Sequence, residues 1–452
     1  MGITYWQKLK QFTRGNLSPV NHRDTREIIR ASSSVLVLKV TGFGLGYVFN
    51  WLLAYLYGAE VMGLYALTVT VASMLALVGR LGMETAAIRF VAERLIKQGQ
   101  RGIRRVYRAM LSLVVPVSLG LCGLLVLAAP WVAHEVFDDT RLAGYLRVAA
   151  FMIPFMTFSA VNTASLQGLK KIQASFFFST LFPSLSNTLV LLALTLLVGV
   201  HLKVPIYAHA IVVFAGGIIS FGVLQNKISG SHILSGADAR KDINKREMLS
   251  ISLPMLVTSA MHFVMSWADL MMLGYFRDAG EVGVYNVAVK ISIAVTFVLL
   301  SVNAILAPKL AEFHATGDYE RFRFVVLLST FIIAVLTIPL VIGIVLFSGQ
   351  LLGLFGQEFL EGSRTLQVLC VAQLVAAIYG PTSYGLIMAG SEKIYRNIIV
   401  VAGLLNIVLN VFLIPKMGHF GAALATLISL LVICFLVFYV AGVKKMLAGK
   451  PS

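Results

Sequence analysis

Runs of apolar residues recur along the chain from residue 35 to residue 442, and short polar connections separate them. Each run is about 20 residues long, the length that a helix needs to cross the roughly 30 Å hydrocarbon layer of a bilayer. Prolines inside several runs do not exclude helix, because neighbouring groups in a membrane bundle satisfy the carbonyl groups that proline frees. The pattern predicts an all-α polytopic membrane protein with about twelve transmembrane helices. The predicted spans are residues 35–57, 62–83, 106–129, 145–168, 174–199, 204–224, 248–273, 282–308, 324–347, 364–388, 394–414 and 420–442.

Composition agrees with this prediction. Of the 452 residues, 58% are hydrophobic and only 13% are charged, and the mean hydropathy is +0.86. A soluble protein of this length could not solvate so much apolar surface, so that surface must face lipid. Cys122, Cys370 and Cys434 all lie inside apolar runs at no metal-ligand spacing, which argues against disulfides and a zinc site. We expect no metal and no cofactor.

The basic residues are distributed unevenly between the two sides of the predicted membrane. Most of the 37 lysine and arginine residues lie in the two tails and the even-numbered connections, whereas the odd-numbered connections contain more acidic than basic residues. Basic residues concentrate on the cytoplasmic side of membrane proteins, so this asymmetry predicts that both termini are cytoplasmic. The formal net charge of +17 is therefore mainly a topology signal, and nucleic acid is not an expected partner.

An internal repeat divides the chain into two halves. Residues 55–65 read YLYGAEVMGLY and residues 275–285 read YFRDAGEVGVY, which align without a gap at an offset of 220. A second echo pairs GLKKI at 168–172 with GSEKI at 390–394, at the cytoplasmic end of the fourth span of each half. Because each half contains an even number of spans, both halves share one orientation and a pseudo-two-fold axis runs along the membrane normal.

The repeat and the connections together predict the organisation of the chain. A basic cytoplasmic N-terminal segment (1–34) precedes the N-terminal six-helix bundle (35–224). A cytoplasmic linker (225–247), the longest connection on that side, leads to the C-terminal six-helix bundle (248–442). A cytoplasmic tail (443–452) ends the chain.

Charged residues within spans are costly, so each of them is a candidate for function. Asp269 lies about ten residues before the hairpin centre near Ala279, and Lys290 lies about eleven residues after it. On adjacent antiparallel helices the two side chains would lie at similar depth, so we expect an ion pair. The pair could take part in substrate or ion coupling, or it could serve only to pack the seventh and eighth spans.

Two polar stripes occupy equivalent positions in the two halves. In the seventh span His262, Ser266 and Asp269 follow each other at steps of four and three, which places them on one helical face. In the first span Lys39 and Asn50 share a face, and the offset of 220 relates this face to the first stripe. We expect both stripes to line a central cavity. For Lys39 the alternative is that its side chain reaches back to the cytoplasmic boundary, about 6 Å away.

Two arginines lie at the cytoplasmic end of the second span, Arg80 within it and Arg89 beyond it. Arg80 and Arg89 lie nine residues apart, and arginine suits bidentate recognition of phosphate. Both are therefore candidate substrate-binding residues, with ordinary anchoring at the cytoplasmic face as the alternative. Tyr275 and Tyr285 lie near predicted outer interfaces and are predicted to belong to an aromatic belt.

The chain contains none of the enzymatic motifs that would contradict a transport function. There is no G-x-x-x-x-G-K-[ST], no H-E-x-x-H and no serine nucleophile elbow, so we expect that the protein is not an enzyme. A membrane polymerase or ligase acting on lipid-linked sugars is the natural enzymatic alternative. It would be expected to present an extended polar outer loop, and the short connections here leave little room for one.

Several segments resemble one family in their order and spacing. They are GAEVMGLYALTVTVASMLALVGRLGMETAAIRFVAE (58–93), SLPMLVTSAMHFVMSWADLMMLGYF (252–276), EVGVYNVAVKI (281–291), NAILAPKLAEFHATGDYER (303–321), LFGQEFLEGSRTLQVLCVAQLVAAIYGPTSYGLIMAGSEK (354–393) and NIVLNVFLIPKMGHFGAALAT (406–426). They resemble the polysaccharide transporter, or O-antigen flippase, family of the multidrug/oligosaccharidyl-lipid/polysaccharide exporter superfamily. The resemblance covers nearly all of residues 30–440.

This resemblance implies a specific fold and substrate. Such proteins form a V of two six-helix bundles around a cationic cavity and move undecaprenyl-pyrophosphate-linked sugars to the outer leaflet by alternating access. The implied location is the bacterial inner membrane. The implied partners are a lipid-linked oligosaccharide, membrane lipids and polysaccharide-assembly proteins such as a glycan polymerase. Under this reading Lys39 and Arg80 bind the diphosphate head.

Two other functions remain open at this point. A cation-coupled exporter of small drugs shares the superfamily fold, and Asp269 would then be its proton or sodium site. A lone carboxylate balanced by a lysine makes a weak cation site, which ranks this alternative below flipping. The other is a non-transporting scaffold for glycan assembly, although a scaffold has no need of buried polar stripes.

Overall fold

The structure is a computed structural model that describes residues 22–229 and 245–443. Within these ranges the side chains of residues 22–36, 96–98 and several positions between 258 and 315, His262 among them, are not described. The described residues are almost entirely helical and contain no strand. The all-α fold class predicted from the apolar runs is confirmed.

The helices of fifteen or more residues fall into two sets of seven along the described chain. The first half contains helices at 22–57 (α1), 59–79 (α2), 83–98 (α3), 100–131 (α4), Leu142–Gly168 (α5), Ile172–Val198 (α6) and Val204–Ser229 (α7). The second half contains helices at Lys245–Phe276 (α8), Ala279–Ile293 (α9), Thr296–Ala315 (α10), Tyr319–Leu346 (α11), Ser363–Met388 (α12), 392–417 (α13) and 419–443 (α14).

Single glycines join some of these helices without a loop. Gly58 lies between α1 and α2 with φ 79° and ψ 177°, and Gly418 lies between α13 and α14 with φ 55° and ψ −138°. Side chains other than glycine rarely adopt such angles, so glycine allows the chain to reverse within one residue. Each bend therefore converts one continuous helical segment into two spans.

The twelve predicted spans all fall on helices. Among the described residues, eight helical segments are long and apolar enough to cross a membrane, and two of these, Val37–Gly79 and Glu392–Gly442, contain two spans each. The seventh span is α8, which bends by 57° between Lys245–Met261 and Ser266–Phe276. The eighth is broken into α9 and α10. The first helix begins earlier than predicted, at His22, and most of the predicted linker lies outside the described residues.

We name the two ends of the bundle by their connections. The hairpin end contains Gly58, Gly418 and the connections 137–141, 199–203 and 347–362. Consecutive spans run antiparallel, so the basic end lies opposite and contains α3 and the connections of the basic, even-numbered side. Helix α5 packs against α2, α4 and α7 in the first half, while its repeat counterpart α12 packs against α10, α11 and α13–α14.

The largest cluster of buried residues crosses between the two halves at the hairpin end. This cluster includes Leu64 and Ala149 from the first half together with Val282 and Leu369 from the second. Toward the basic end the buried residues form three smaller clusters, of which one joins first-half residues to Met248 of α8 and two lie in the second half. The halves are therefore in contact at both ends, through a larger buried cluster at the hairpin end and a smaller one at the basic end.

Candidate functional site

The two halves meet where α2 crosses α9 at the hairpin end. A side-chain carbon on Gly63 would overlap the carbonyl oxygen of Ala279, and one on Gly283 would overlap the carbonyl oxygen of Ala59. The two contacts are counterparts under the offset of 220, so the crossing lies on the pseudo-two-fold axis. Only glycine permits backbones to approach this closely. The repeat motif of the two halves is therefore one of their contact surfaces; a second lies at the basic end, where a side-chain carbon on Gly82 would overlap the carbonyl oxygen of Ser252.

Further hydrogen bonds between the halves close the hairpin end. The Ala59 amide donates to Glu358 Oε1 at 2.7 Å, so a carboxylate of the second half caps the first turn of α2. The Trp51 indole donates to the Leu354 carbonyl at 2.8 Å. Deeper in the bundle, the Tyr47 hydroxyl donates to the Lys290 carbonyl. Passage through the hairpin end requires these bonds to break.

A cavity of about 330 Å³ lies beside this crossing and is lined by both halves. Arg141 on its wall donates to Asp139 Oδ2 at 2.8 Å and to Glu60 Oε1 at 2.7 Å. Arg141 also holds the pKa of Asp139 below its usual range, through its hydrogen bonds to that carboxylate. The cavity is lined by Leu64, Leu67, Phe137, Asp138, Asp139, Thr140, Arg141, Leu142, Gly274, Arg277, Asp278 and Ala279.

The second half contains a buried carboxylate surrounded by hydrogen-bond donors. Asp269 on α8 is 9% exposed. It accepts bonds from the Tyr285 hydroxyl at 3.0 Å, Asn410 Nδ2 at 2.6 Å and the Thr426 hydroxyl at 2.5 Å. Asn410 also donates to Asn406 Oδ1 at 3.1 Å. We call these five residues the Asp269 cluster, and they bring together α8, α9, α13 and α14.

The cluster has one unsatisfied acceptor. Asn410 is fully buried, and its Oδ1 finds no hydrogen-bond donor among the described residues. A buried acceptor without a partner is costly, and an oxygen-rich cluster of this kind is suited to a proton or a hard monovalent cation.

The first half contains a related cluster without the carboxylate. The Tyr65 hydroxyl lies 3.2 Å from His209 Nδ1, and that nitrogen lies 3.2 Å from Asn187 Oδ1. Tyr65 is the repeat counterpart of Tyr285, but Phe49 occupies the position that corresponds to Asp269. The two halves therefore share a tyrosine-centred polar site and differ in charge.

Comparison with known proteins assigns the family. The family described as polysaccharide biosynthesis protein matches residues 28–314, and the MatE family matches residues 254–412. The chain belongs to the polysaccharide biosynthesis protein family. Its resemblance to the polysaccharide transporter family is thereby confirmed. A curated relative, the probable low-salt glycan biosynthesis flippase Agl15 of Haloferax volcanii, is 23% identical over 89% of this chain and 81% of its own length.

Solved structures give the fold of this family member. The lipid II flippase MurJ, in an inward closed conformation, matches with a TM-score of 0.74 at 16% identity, over 93% of this chain and 90% of that one. An inward-facing multidrug resistance MATE transporter matches with a TM-score of 0.70 at 15% identity, over 90% and 95%. The predicted fold of two six-helix bundles is confirmed.

The expected ion pair between Asp269 and Lys290 is not formed in this family member. The Lys290 ammonium lies 5.5 Å from the ring centroid of Trp267, while both oxygens of Asp269 are bonded within the Asp269 cluster. Tyr285 and Lys290 are five residues apart, which rotates them about 140° around α9. Because Tyr285 faces Asp269, Lys290 faces away. The ion pair was expected because the two residues lie at similar depth. It does not form because the two side chains point in different directions around their helices.

The polar stripe of α1 is split between two environments. Lys39 is exposed, and its ammonium lies 4.7 Å from the ring centroid of Phe176 on α6. Asn50 is half-buried and donates to the Gly46 carbonyl of its own helix at 2.6 Å. In α8 Ser266 is exposed, and the His262 side chain lies outside the described residues. Cavity lining by these residues remains a prediction.

The two arginines differ in their surroundings. Arg80 bonds Glu84 Oε2 through Nη1 at 2.6 Å, and its buried Nε finds no acceptor among the described residues. Arg89 is exposed on α3. Phosphate binding by either arginine remains a prediction.

Sequence reasoning singled out Asp269 but missed Tyr285 and Thr426 as its partners. Tyr285 was expected in an aromatic belt, but it is 3% exposed and bonds Asp269, and Thr426 was not considered. The match of Tyr65 with Tyr285 in the repeat was the available signal, since both tyrosines organise a polar site. Tyr275, by contrast, is 57% exposed, as a belt residue would be.

Proposed function

We propose that this protein flips a polyprenyl-pyrophosphate-linked oligosaccharide across the cytoplasmic membrane, by opening its two ends alternately. The observation that carries the proposal is the match of residues 28–314 to the polysaccharide biosynthesis protein family, in a fold whose two related halves meet at glycine contacts at both ends. Alternating access requires contacts of this kind between the halves, which close one end while the other end opens. Family membership supports the glycan substrate, and the charge asymmetry supports a cytoplasmic basic end with cytoplasmic termini.

The diphosphate head is bound by cationic groups near the basic end. Lys39 supports this role because its ammonium is exposed and stacks on Phe176. Arg80 supports this role because its Nε–H donates no hydrogen bond to any described residue. Arg89 extends the same charge along α3. Charge-assisted bonds to phosphate are stronger than neutral ones, so a few such contacts suffice to hold the head group.

Replacing Lys39 or Arg80 by glutamine tests this assignment. Purified protein in liposomes is assayed for the flipping of a fluorescent polyprenyl diphosphate sugar. Loss of one charge-assisted bond costs about 1.5–3 kcal/mol, so we expect flipping to fall at least about tenfold at limiting substrate. Lys203→Gln, an exposed lysine at the hairpin end, is the control and should flip normally. Lys39→Gln and Arg80→Gln proteins with full activity would refute the assignment.

The Asp269 cluster binds the coupling cation in this proposal. Its carboxylate, amide and hydroxyl oxygens offer hard ligands, and Asn410 Oδ1 has no described donor. The cluster joins α8 and α9 to α13 and α14, so occupancy there can bias the packing of the second half. Lys290 is not part of this site.

Asp269→Asn removes the charge while keeping the size of the side chain. We expect the variant to insert normally but to lose the dependence of flipping on a proton or sodium gradient, with a rate at least about tenfold lower. Asp138→Asn is a matched control at the hairpin end, where φ is 47°, because asparagine tolerates that backbone region. A gradient response that survives in Asp269→Asn would contradict the proposal.

A cation-coupled drug exporter is the second candidate, favoured by the MatE match over residues 254–412. Deletion of the gene separates the two functions. Accumulation of lipid-linked oligosaccharide in the cytoplasmic leaflet supports flipping, whereas drug hypersensitivity with unchanged glycan export supports the exporter. A non-transporting scaffold would tolerate Lys39→Gln in both assays.

A further inference from the structure

Helix α4 carries a stripe of four arginines at the basic end. Arg101, Arg104, Arg105 and Arg108 follow each other at steps of three, one and three, so they share one helical face. All four are exposed. We call these residues the arginine stripe.

The depth of the stripe matches the headgroup layer of a bilayer. The same face of α4 continues through Val115 and Leu119, which are 36% and 55% exposed and apolar, as expected for a face toward lipid tails. Arg108 lies two turns before Val115, and Arg101 lies about 10 Å further out along the axis. Polar headgroups occupy the several ångströms outside the hydrocarbon on each side. The arginines therefore lie above the lipids that contact this face.

The second half shows that the fold does not require this stripe. Helix α11 buries the same face as α4 when the two are aligned at an offset of 219. The matched buried positions are Ile103 with Phe322, Tyr107 with Val326, Met110 with Ser329, Val114 with Ile333 and Cys122 with Val341.

At this alignment the stripe positions correspond to Glu320, Arg323, Phe324 and Leu327. The formal charge of these four positions is +4 in the first half and zero in the second. A general preference for basic residues at this end would affect both halves. The difference therefore indicates a binding partner that contacts the first half alone.

The local ion pairs that the structure describes do not neutralise Arg101 or Arg108. Arg104 Nη2 donates to Ser229 Oγ at 3.0 Å, at the C-terminus of α7. Arg101 and Arg108 form no ion pair with a carboxylate in the part of the chain that the structure describes. Guanidinium groups hold phosphate through two parallel bonds, which an ammonium group cannot do.

We propose that the arginine stripe is a binding surface for anionic phospholipid headgroups of the leaflet at the basic end. The position of the stripe above a lipid-facing apolar surface selects a membrane lipid over a soluble anion. Binding at this surface anchors α4 and, through Ser229, the end of α7. The inference does not depend on what the protein transports.

The test measures lipid affinity of the full-length protein in mixed micelles, titrated with phosphatidylglycerol or phosphatidylcholine. We expect tighter binding of phosphatidylglycerol by the wild type. Removal of each arginine near an anionic surface should weaken binding about fivefold, so R101Q/R108Q should weaken it by about 25-fold. R321Q/R323Q is the matched control, because it removes two arginines from the equivalent end of α11, and we expect less than about a threefold change.

Three results would overturn the proposal. One is a wild type that does not distinguish the two phospholipids. Another is equal weakening by R101Q/R108Q and R321Q/R323Q, which would mean a general attraction to the basic end. The last is displacement of phosphatidylglycerol by much lower concentrations of undecaprenyl diphosphate, which would assign the surface to the transported lipid. We expect R101K/R108K to lose part of the phosphatidylglycerol affinity at unchanged charge, because an ammonium group cannot form the two parallel bonds of a guanidinium group.

Discussion

At the scale of single residues, the two halves differ most in one buried side chain. Asp269 accepts three hydrogen bonds within the second half, whereas Phe49 occupies the corresponding place in the first. The tyrosine beside each position is retained, as Tyr285 in one half and Tyr65 in the other. The same scaffold thus presents a charged site once and a neutral site once.

This difference makes Tyr65 a control for Tyr285. Tyr285→Phe removes one hydrogen bond to a charged acceptor, worth about 1.5–3 kcal/mol, and should change the cation concentration for half-maximal flipping about tenfold or more. Tyr65→Phe removes the contact with His209 and should leave the cation dependence unchanged. The measurement is a flipping rate against cation concentration in liposomes. Equal responses of both variants would count against cation binding at Asp269.

Asp269 and Lys290 show which features of the site could be predicted from the sequence and which could not. Their location within spans and their similar depth followed from residue counting, because the rise of a helix per residue is fixed. The absence of an ion pair between them could not be predicted in this way. It depends on how α8 and α9 are rotated against each other and on which side chains of α13 and α14 lie close to Asp269. Asn410 and Thr426 are more than 140 residues away along the chain from Asp269. Periodicity within one helix carries no information about such partners.

At the scale of elements, the lengths of the apolar runs predicted the positions of the spans well. They predicted the bends and breaks of the helices poorly. Hydrophobicity placed every span because crossing a bilayer demands it. The bends at Gly58 and Gly418 and the break between α9 and α10 depend on backbone angles and tertiary contacts instead. Glycine alone does not predict a bend, since Gly120 and Gly123 lie within α4 without interrupting it.

The glycine crossing of α2 and α9 gives a prediction at this scale. In Gly63→Ala or Gly283→Ala the new methyl group would overlap a carbonyl oxygen of the other half. We expect the hairpin end to be held open, with a longer distance between spin labels at residues 134 and 354. The two variants should act alike because the contacts are related by the repeat.

Gly123→Ala is the control for this experiment. No atom lies within 4 Å of the position that its methyl group would occupy. Alanine in place of an unstrained helical glycine stabilises a helix by about 1 kcal/mol, so the label distance should not change. A wild-type distance in Gly63→Ala would show that the crossing relaxes at no cost to closure.

At the scale of the whole molecule, the balance between end states depends on a few bonds between the halves. The described bonds at the hairpin end include one cap, Glu358 to Ala59, and one indole contact, Trp51 to Leu354. A continuous apolar core supports them. No single bond is strong, so the closed state can be reversed by a modest input of free energy.

Glu358→Gln weakens this closure selectively. The loss of a capping interaction costs about 0.5–2 kcal/mol, so we expect the population open at the hairpin end to rise about two- to thirtyfold. The same spin-label distance, recorded with and without substrate, measures the population. Glu361→Gln changes an exposed carboxylate in the same turn and should have no effect. Indistinguishable distance distributions for the two variants would remove Glu358 from the closing contacts.

The presence of phenylalanine at position 49 has a consequence for energetics. If the carboxylate of Asp269 carries one monovalent cation in each cycle, the first half adds none at the matching position, and the stoichiometry at this pair of sites is one. A single charge moved across 100 mV yields about 2.3 kcal/mol, enough for roughly a fiftyfold concentration ratio. Accumulation of cargo in the outer leaflet beyond that ratio would then need removal of the product, so the next step of glycan assembly would set the direction of transport.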